Sequence, residues 1–239
     1  MATTEPTLVV VAQLQATSKD ARDQLVGLFQ NIVEYSRVEE PGVLKYAVCT
    51  PADDPNDDTT LYAIEEYATQ STFEAHMSTP PVLSLISSFA STSQTPSLIS
   101  KPPTVHTLHW TSAIFTRPTL ATHPNPYILF ATIDTPSIAD TETIAPYGAA
   151  VVSFAKDNEP DTLFYGDARP KDKREDEKGF IAAVEVYTDK AALDRHFQGE
   201  ALKAMVAESQ KLDGKLTFLG LNKVAGWLSR DEGSEAAKA

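Results

Sequence analysis

The sequence predicts an α+β protein made of two β-α-β-β-α-β repeats in one chain. Three observations carry this. First, "YATQSTFEAHMSTPPVLSLI" (Tyr67–Ile86) and "YTDKAALDRHFQGEALKAMV" (Tyr187–Val206) share a plan and lie 120 residues apart. Each has a Tyr closing an apolar run, a His nine places later, and then a second apolar segment. Second, "EPGVLKY" (Glu40–Tyr46) is answered by "EPDTLFY" (Glu159–Tyr165) at a spacing of 119, and Leu25, Leu28, Ile32 and Tyr35 are answered by Ile144, Tyr147, Val151 and Phe154 at the same spacing. Third, strand-like and helix-like patterns follow the same order in both halves.

The first element is "TLVVVAQLQA" (Thr7–Ala16), a β-branched run that reads as a strand. Ser18 can cap the helix that follows, with Asp20 in its first turn. Leu25, Leu28, Ile32 and Tyr35 are expected on its buried face, and Pro41-Gly42 stops it. "VLKYAVCT" and "TTLYAIEEYA" are two strands around the acidic turn "PADDPNDD". A helix around His76 breaks at Pro80-Pro81 and resumes through Phe89, and "VHTLHWTSAIFT" is the fourth strand. The second half repeats the plan with "PYILFATIDT", a helix, "EPDTLFYGDARP", "GFIAAVEVY", the His196 helix and "KLTFLGLNKVAGWL". Pro146 disrupts a helix interior, so that helix is expected to begin near Thr143.

Such a unit folds into a four-stranded antiparallel, ferredoxin-like sheet with both helices on one face. Its other face needs a cover, and the second copy supplies one. The expectation is two repeats packed sheet to sheet as an intramolecular pseudo-dimer, a dimeric α+β barrel on one chain, with further homo-oligomer formation left open. The expected domains are 7–117 and 125–230. Residues 118–124 form a Pro-rich, stiff and extended linker, and 231–239 a frayed tail.

The 239 residues are 42% hydrophobic, with a formal net charge of −13. That charge repels phosphate backbones and argues against a nucleic-acid partner. Cys49 is the single cysteine, so neither an intramolecular disulfide nor a cysteine metal site is available. The start of the sequence does not read as a signal peptide and no apolar run reaches membrane-spanning length; a cytoplasmic protein is expected. Gly-rich phosphate loops, His-Glu-x-x-His and nucleophile elbows are absent from the sequence. Asp167, Arg169 and the "RPKDKREDEK" run read as a solvated turn.

The stretch "EEPGVLKYAVCTPADDPNDDTTLYAIEEYATQSTFEAHMSTP" resembles the antibiotic biosynthesis monooxygenase family, a branch of the dimeric α+β barrel proteins. The shared pattern is Glu-Pro-Gly, an aromatic-ended strand, an acidic turn, an apolar strand ending Glu-Glu-Tyr, and Ala-His on a helix. It spans Thr7–Phe115 well and Pro126–Leu228 more loosely. Members of that family include cofactor-independent monooxygenases of anthrones and quinols, haem-degrading enzymes and an isomerase of a phosphorylated sugar-like signal. The resemblance therefore implies a small aromatic, polyketide-like substrate and dioxygen as partners, with no cofactor and no metal. A non-oxidative cyclase, isomerase or decarboxylase on the same scaffold, and a non-catalytic binding or stress protein, stay open.

By resemblance His76 is a base or an oxyanion donor, and His196 is its repeat mate. A His suits proton transfer because its ordinary pKa is near neutrality. Many relatives carry a second His five places on, where this chain has Pro81 and Ala201. In the fourth strand, alternation puts His106, Leu108 and Trp110 on one face and Thr107 and His109 on the other, so His106 or His109 can line a pocket and Trp110 can stack on substrate. Tyr46, Tyr165, Tyr67 and Tyr187 recur between halves, and Tyr67 stands where many relatives carry Trp. Gln13 takes a place near an Asn of haem-degrading relatives, but those relatives carry Trp near the position of His76. The N-terminal half, richer in polar groups, is expected to hold the better pocket.

Overall fold

In a computed structural model of the chain, residues 6–92, 95–172 and 178–231 are described. Most of the charged run at 173–178 and nearly all of the tail at 231–239 fall outside them. The fold is α+β, two ferredoxin-like repeats in sequence. The first comprises β1 (Leu8–Gln15), α1 (Lys19–Glu39), β2 (Val43–Pro51), β3 (Thr60–Tyr67), α2 (Gln70–Met77), α3 (Pro80–Ser87) and β4 (Thr104–Thr116). The second comprises β5 (Tyr127–Thr135), α4 (Ile138–Asn158), β6 (Thr162–Pro170), β7 (Gly179–Tyr187), α5 (Lys190–His196), α6 (Glu200–Lys211) and β8 (Lys215–Trp227). In each repeat the third strand is central and antiparallel to both neighbours, as β1-β3-β2 and β5-β7-β6. The register runs from Leu8↔Tyr67 in one and from Tyr127↔Tyr187 in the other.

Two compact units emerge from packing, one running up to Thr107 and resuming at Asn222, the other running from Leu108 to Leu221. Each boundary falls inside a fourth strand, whereas the sequence repeat places it in the linker. The linker itself is not extended: Pro118–Thr122 coil into a 3-10 turn, with Leu120 buried beneath it. Proline fixes φ at a value that opens a helical turn as readily as an extended segment.

In the first unit Ser18 caps α1, its hydroxyl accepting from the Ala21 amide at 3.1 Å. The buried face of α1 is Ala21, Leu25, Phe29, Ile32 and Ser36. Leu28 and Tyr35 only flank it, because Phe29 takes the centre of the stripe. The acidic turn is closed by Asp57, whose carboxylate accepts from the amides of Thr59 and Thr60 at 3.1 and 2.8 Å. All eight residues of β3 are buried, so alternation decides only which face each serves: Ala63 and Glu65 face the cavity beneath the helices, and Glu66 ion-pairs with Lys45. Gly226 has φ +87°, and a Cβ there would stand 1.8 Å from the Tyr46 carbonyl oxygen, so only glycine lets β8 lie against β2.

In the second unit α4 begins at Ile138 under a Ser137 cap, five residues earlier than Pro146 led us to expect. Pro146 is on the exposed side of the helix. The carbonyl it deprives of a partner can turn to water there, which lowers the cost of an interior proline. The buried face is Thr141, Ile144, Gly148, Val151, Val152 and Ala155. Tyr147 and Phe154, expected on that face, are exposed because the stripe turns through Gly148 and Val152.

Candidate active site

Each unit holds the same five-residue polar cluster. In the first, His76 is in the last turn of α2, 2% exposed, with Nδ1 3.0 Å from Glu40 Oε2. Glu40 caps the end of α1 and also accepts from the Ser36 hydroxyl at 2.6 Å. Glu65, on β3, accepts from the Tyr67 hydroxyl at 2.5 Å and from Tyr46. The His76 ring packs against both tyrosines, with centroids 5.6 Å from Tyr46 and 5.2 Å from Tyr67. The second unit repeats this. His196 Nδ1 is 2.8 Å from Glu159 Oε2, and its Nε2 is 3.9 Å from Glu185 Oε2. Glu185 accepts from Tyr187 and Tyr165, whose rings stand 5.6 and 5.8 Å from the imidazole.

Burial dominates the electrostatics. It raises Glu65 and Glu185 above the usual carboxylate range, against the opposing pull of the facing imidazole and the tyrosine hydroxyls. The four tyrosines are pushed well above their ordinary value, by burial first and then by the adjacent Glu65 or Glu185 charge. They stay protonated and act as donors. For His196, burial pulls the pKa down, but the Glu159 hydrogen bond and the Glu185 and Glu159 charges together outweigh it, and the net direction is up. In both units the glutamate on Nδ1 orients the ring and favours the tautomer whose Nε2 is free to accept a proton.

An arginine fixes the backbone of that glutamate. Arg230 donates to the carbonyls of Ser36 (3.0 Å), Arg37 (3.1 Å), Glu40 and Val43 (2.7 Å). Arg117 donates to those of Ala155 (3.3 Å), Lys156 (2.7 Å), Glu159 (3.3 Å) and Thr162 (2.8 Å). The acceptors correspond one to one at a spacing of 119. Each guanidinium adds donors to the carbonyls at a helix C-terminus, two of which (Ser36 and Glu40; Ala155 and Glu159) also accept a backbone amide, and ties them to the next strand. Arg230 also stacks on Trp227, 5.6 Å from the ring centre.

The units differ in the space above the cluster. The first encloses about 150 Å³, lined by Tyr46, Glu65 and His76 on the polar side and otherwise by apolar groups such as Ala12, Phe29, Leu85 and Phe89. The corresponding volume in the second is about 20 Å³. Gly148 stands where Phe29 stands in the first repeat, yet it opens no cavity. The Asp167 carboxylate fills that side, 3.6 Å from where a Gly148 Cβ would be, and Phe197 and Phe218 meet edge to face at 5.1 Å in the same lining.

Of the expected site residues, the structure brings together His76, Tyr46 and Tyr67 in one unit and His196, Tyr165 and Tyr187 in the other. Tyr46 and Tyr165 reach the cavity linings, while Tyr67 and Tyr187 stand behind them on Glu65 and Glu185. Gln13 faces away. Val10, Ala12 and Leu14 line the cavity, so alternation turns Gln13 to the other side of β1, where it hydrogen-bonds Tyr62. His106 and His109 are half-buried on β4 and are not among the residues lining either cavity. Trp110 packs edge to face on Phe164 at 5.6 Å and lies on Gly166, where a Cβ would stand 2.7 Å from its ring. That contact packs the indole within the second unit, and Trp110 is not among the residues lining either His cavity. Glu40, Glu65, Glu159, Glu185, Arg117 and Arg230 were missed. The glutamates had a readable signal, since Glu40 and Glu159 open the matched "EP" motifs and Glu65 and Glu185 sit in otherwise apolar strands.

A family model for antibiotic biosynthesis monooxygenase matches residues 7–86. No curated protein sequence matches the chain. Among solved structures, a provisionally assigned monooxygenase from Fusobacterium nucleatum is similar at 16% identity and a TM-score of 0.75, covering 94% of this chain and 95% of that one. One from Lactobacillus acidophilus NCFM is similar at 13% identity and 0.71, covering 95% and 97%. An anthrone oxidase-like protein is similar at 13% identity and 0.64, covering 93% of both. At these identities the likeness is one of fold, and it runs through both repeats. The family match covers residues 7–86, which contain β1 through α2 and the whole Glu40–His76 cluster.

Proposed function

We propose that the chain is a cofactor-independent monooxygenase that oxidises an aromatic phenol, anthrone or hydroquinone with dioxygen, and that the N-terminal unit is the working site. The observation that carries this is an apolar cavity of about 150 Å³ whose polar wall is Tyr46, Glu65 and a His76 oriented by Glu40. That volume is the size of a cavity that holds one benzene-sized ring. His76 takes the proton of the activated carbon acid through Nε2, and Glu40 stabilises the imidazolium. Tyr46, kept protonated by burial, turns its one hydroxyl proton from Glu65 to the resulting oxyanion, leaving Glu65 to accept from Tyr67. The substrate carbanion supplies the electrons and adds dioxygen. The hydroperoxide then loses water, so that the CH₂ of an anthrone, or of the keto form of a phenol or hydroquinone, becomes C=O, one oxygen atom entering the product and the other leaving as water. The apolar walls exclude solvent from the anionic intermediate. The family match and the anthrone oxidase-like neighbour support the oxidative reading. The test is dioxygen uptake and product mass with anthrone and hydroquinone substrates. Uptake equal to product, with one atom of labelled oxygen incorporated, is expected. Turnover without uptake would replace this reading with a non-oxidative one.

A further inference from the structure

The C-terminal unit keeps the cluster but has lost the space. Its lining positions answer those of the N-terminal cavity. Leu202 and Met205 stand for Val82 and Leu85, Phe197 stands for Met77, and Phe218 stands for Val105. The last pair is fixed by register, since Val105 and Phe218 each precede by three residues the buried leucine of their strand, Leu108 and Leu221. Met77 and Val105 are open side chains at the mouth, 38% and 53% exposed. Phe197 and Phe218 instead meet as an edge-to-face pair, a geometry that stabilises two rings beyond their area burial.

A second, independent observation comes from the imidazole. His196 is 2% exposed, and its Nε2 has no hydrogen-bond partner among the described residues. A buried polar nitrogen left without a partner costs free energy. It is oriented as a working group would be, with Glu159 on Nδ1 and Nε2 directed to the side of Glu185, and Glu185 and His196 both line the residual space. That space of about 20 Å³ is enough for one water.

We infer that the C-terminal unit contains a second copy of the ring-binding site, complete in its polar wall and shut by the Phe197–Phe218 pair. Its ligand is the same chemical class as that of the open site, a single-ring phenol whose hydroxyl reaches the imidazole Nε2. The inference rests on the proposed function only for the choice of probe. Binding is counted, so dioxygen chemistry does not enter the readout.

The probe is 4-fluorophenol, followed by fluorine NMR at saturation on the full chain. One bound equivalent is expected for the native chain, and two for the F197M/F218V double variant, which copies the mouth of the open site. The reciprocal M77F/V105F variant is expected to lose the native equivalent. If the double variant does not fold, F218V alone removes one half-exposed ring and must still add binding. A folded variant that binds no more probe than the native chain overturns the inference, as does a native chain that already binds two. No binding to the native chain with one equivalent on F197M/F218V would uphold it while refuting the open N-terminal site.

Discussion

Asp167→Asn should stabilise the protein at neutral pH, and the gain should vanish in acid. Asp167, expected in a solvated turn, is instead 5% exposed within β6, and burial raises its pKa from the ordinary 3.8 to about 6, the Arg169 ion pair at 3.3 Å offsetting only part of that cost. The folded state therefore holds this proton more tightly than the unfolded chain. Between 3.8 and about 6 the folded state binds more protons, so this group's contribution to stability falls as pH rises. The full penalty is present above about 6 and absent below the unfolded value. The gap amounts to about 3 kcal/mol at most, and a fraction of it is returned by the lost Arg169 contact, so about 1–2 kcal/mol is the expected net gain of the amide at pH 8. Urea unfolding of both proteins from pH 4 to pH 8 measures it. The two curves should converge near pH 4 and separate through pH 6. A difference that is constant across that range, or an asparagine variant less stable at pH 8, would refute the assignment of a buried, charge-strained carboxylate beside Gly148.

Other outcomes follow from the same geometry. His76→Ala should lower kcat by ~10²-fold or more while His196→Ala changes it little, and Glu40→Gln should lose about tenfold or more in kcat with a smaller change in KM; steady-state turnover of the oxygen-consuming substrate checks all three. Arg230→Ala and Arg117→Ala should each destabilise by about 2 kcal/mol, since each removes four charge-assisted hydrogen bonds to helix-end and strand carbonyls, but only Arg230→Ala should depress kcat, because its glutamate orients His76. Thermal melts and kinetics on the pair separate the two effects. Cys49 is buried and its thiol is pushed up to about 12, so an aromatic disulfide reagent should react with it only after denaturation.

The fold was legible because repetition doubles every signal. A strand or helix read weakly in one half was read again in the other, and Ser18, Pro41 and the aspartate-rich turn punctuated it correctly. What failed were points where tertiary packing overrules local pattern. Pro146 reads as a helix boundary because a sequence window cannot tell that its side of α4 faces water. Tyr35 and Phe154 read as core because period 3.6 admits two adjacent stripes, and the choice of Phe29 depends on the cavity it borders. The histidines were found by spacing, but the groups that make them chemical were not. A glutamate in "AIEEY" looks like an exposed strand residue until β3 is known to be buried on both faces. Arg230 and Arg117 were illegible for another reason: Arg230 reaches back 187 to 194 positions, and Arg117 forward 38 to 45, to the carbonyls they hold.

The duplicated cluster does not by itself identify a catalytic centre. The histidines, the tyrosines, Glu65 and Glu185 are buried, with Glu40 and Glu159 at the edge of the cluster, so losing one member would leave a buried carboxylate or imidazole stranded at a cost of several kcal/mol. Such a cluster persists in a repeat whether or not it turns anything over, because replacement must pass through a destabilised intermediate sequence. Agreement between the halves at Glu40/Glu159, Tyr46/Tyr165, Glu65/Glu185, Tyr67/Tyr187 and His76/His196 is therefore explained by packing alone. The lining positions carry no such lock. Exchanging Met77 for a phenylalanine, or Val105 for another apolar group, alters volume and leaves no polar atom without a partner. Free to vary, those positions differ between the units, and they differ in the direction that leaves about 150 Å³ beside His76 and about 20 Å³ beside His196. The proposal that the N-terminal unit is the working site thus rests on the residues the two repeats do not share.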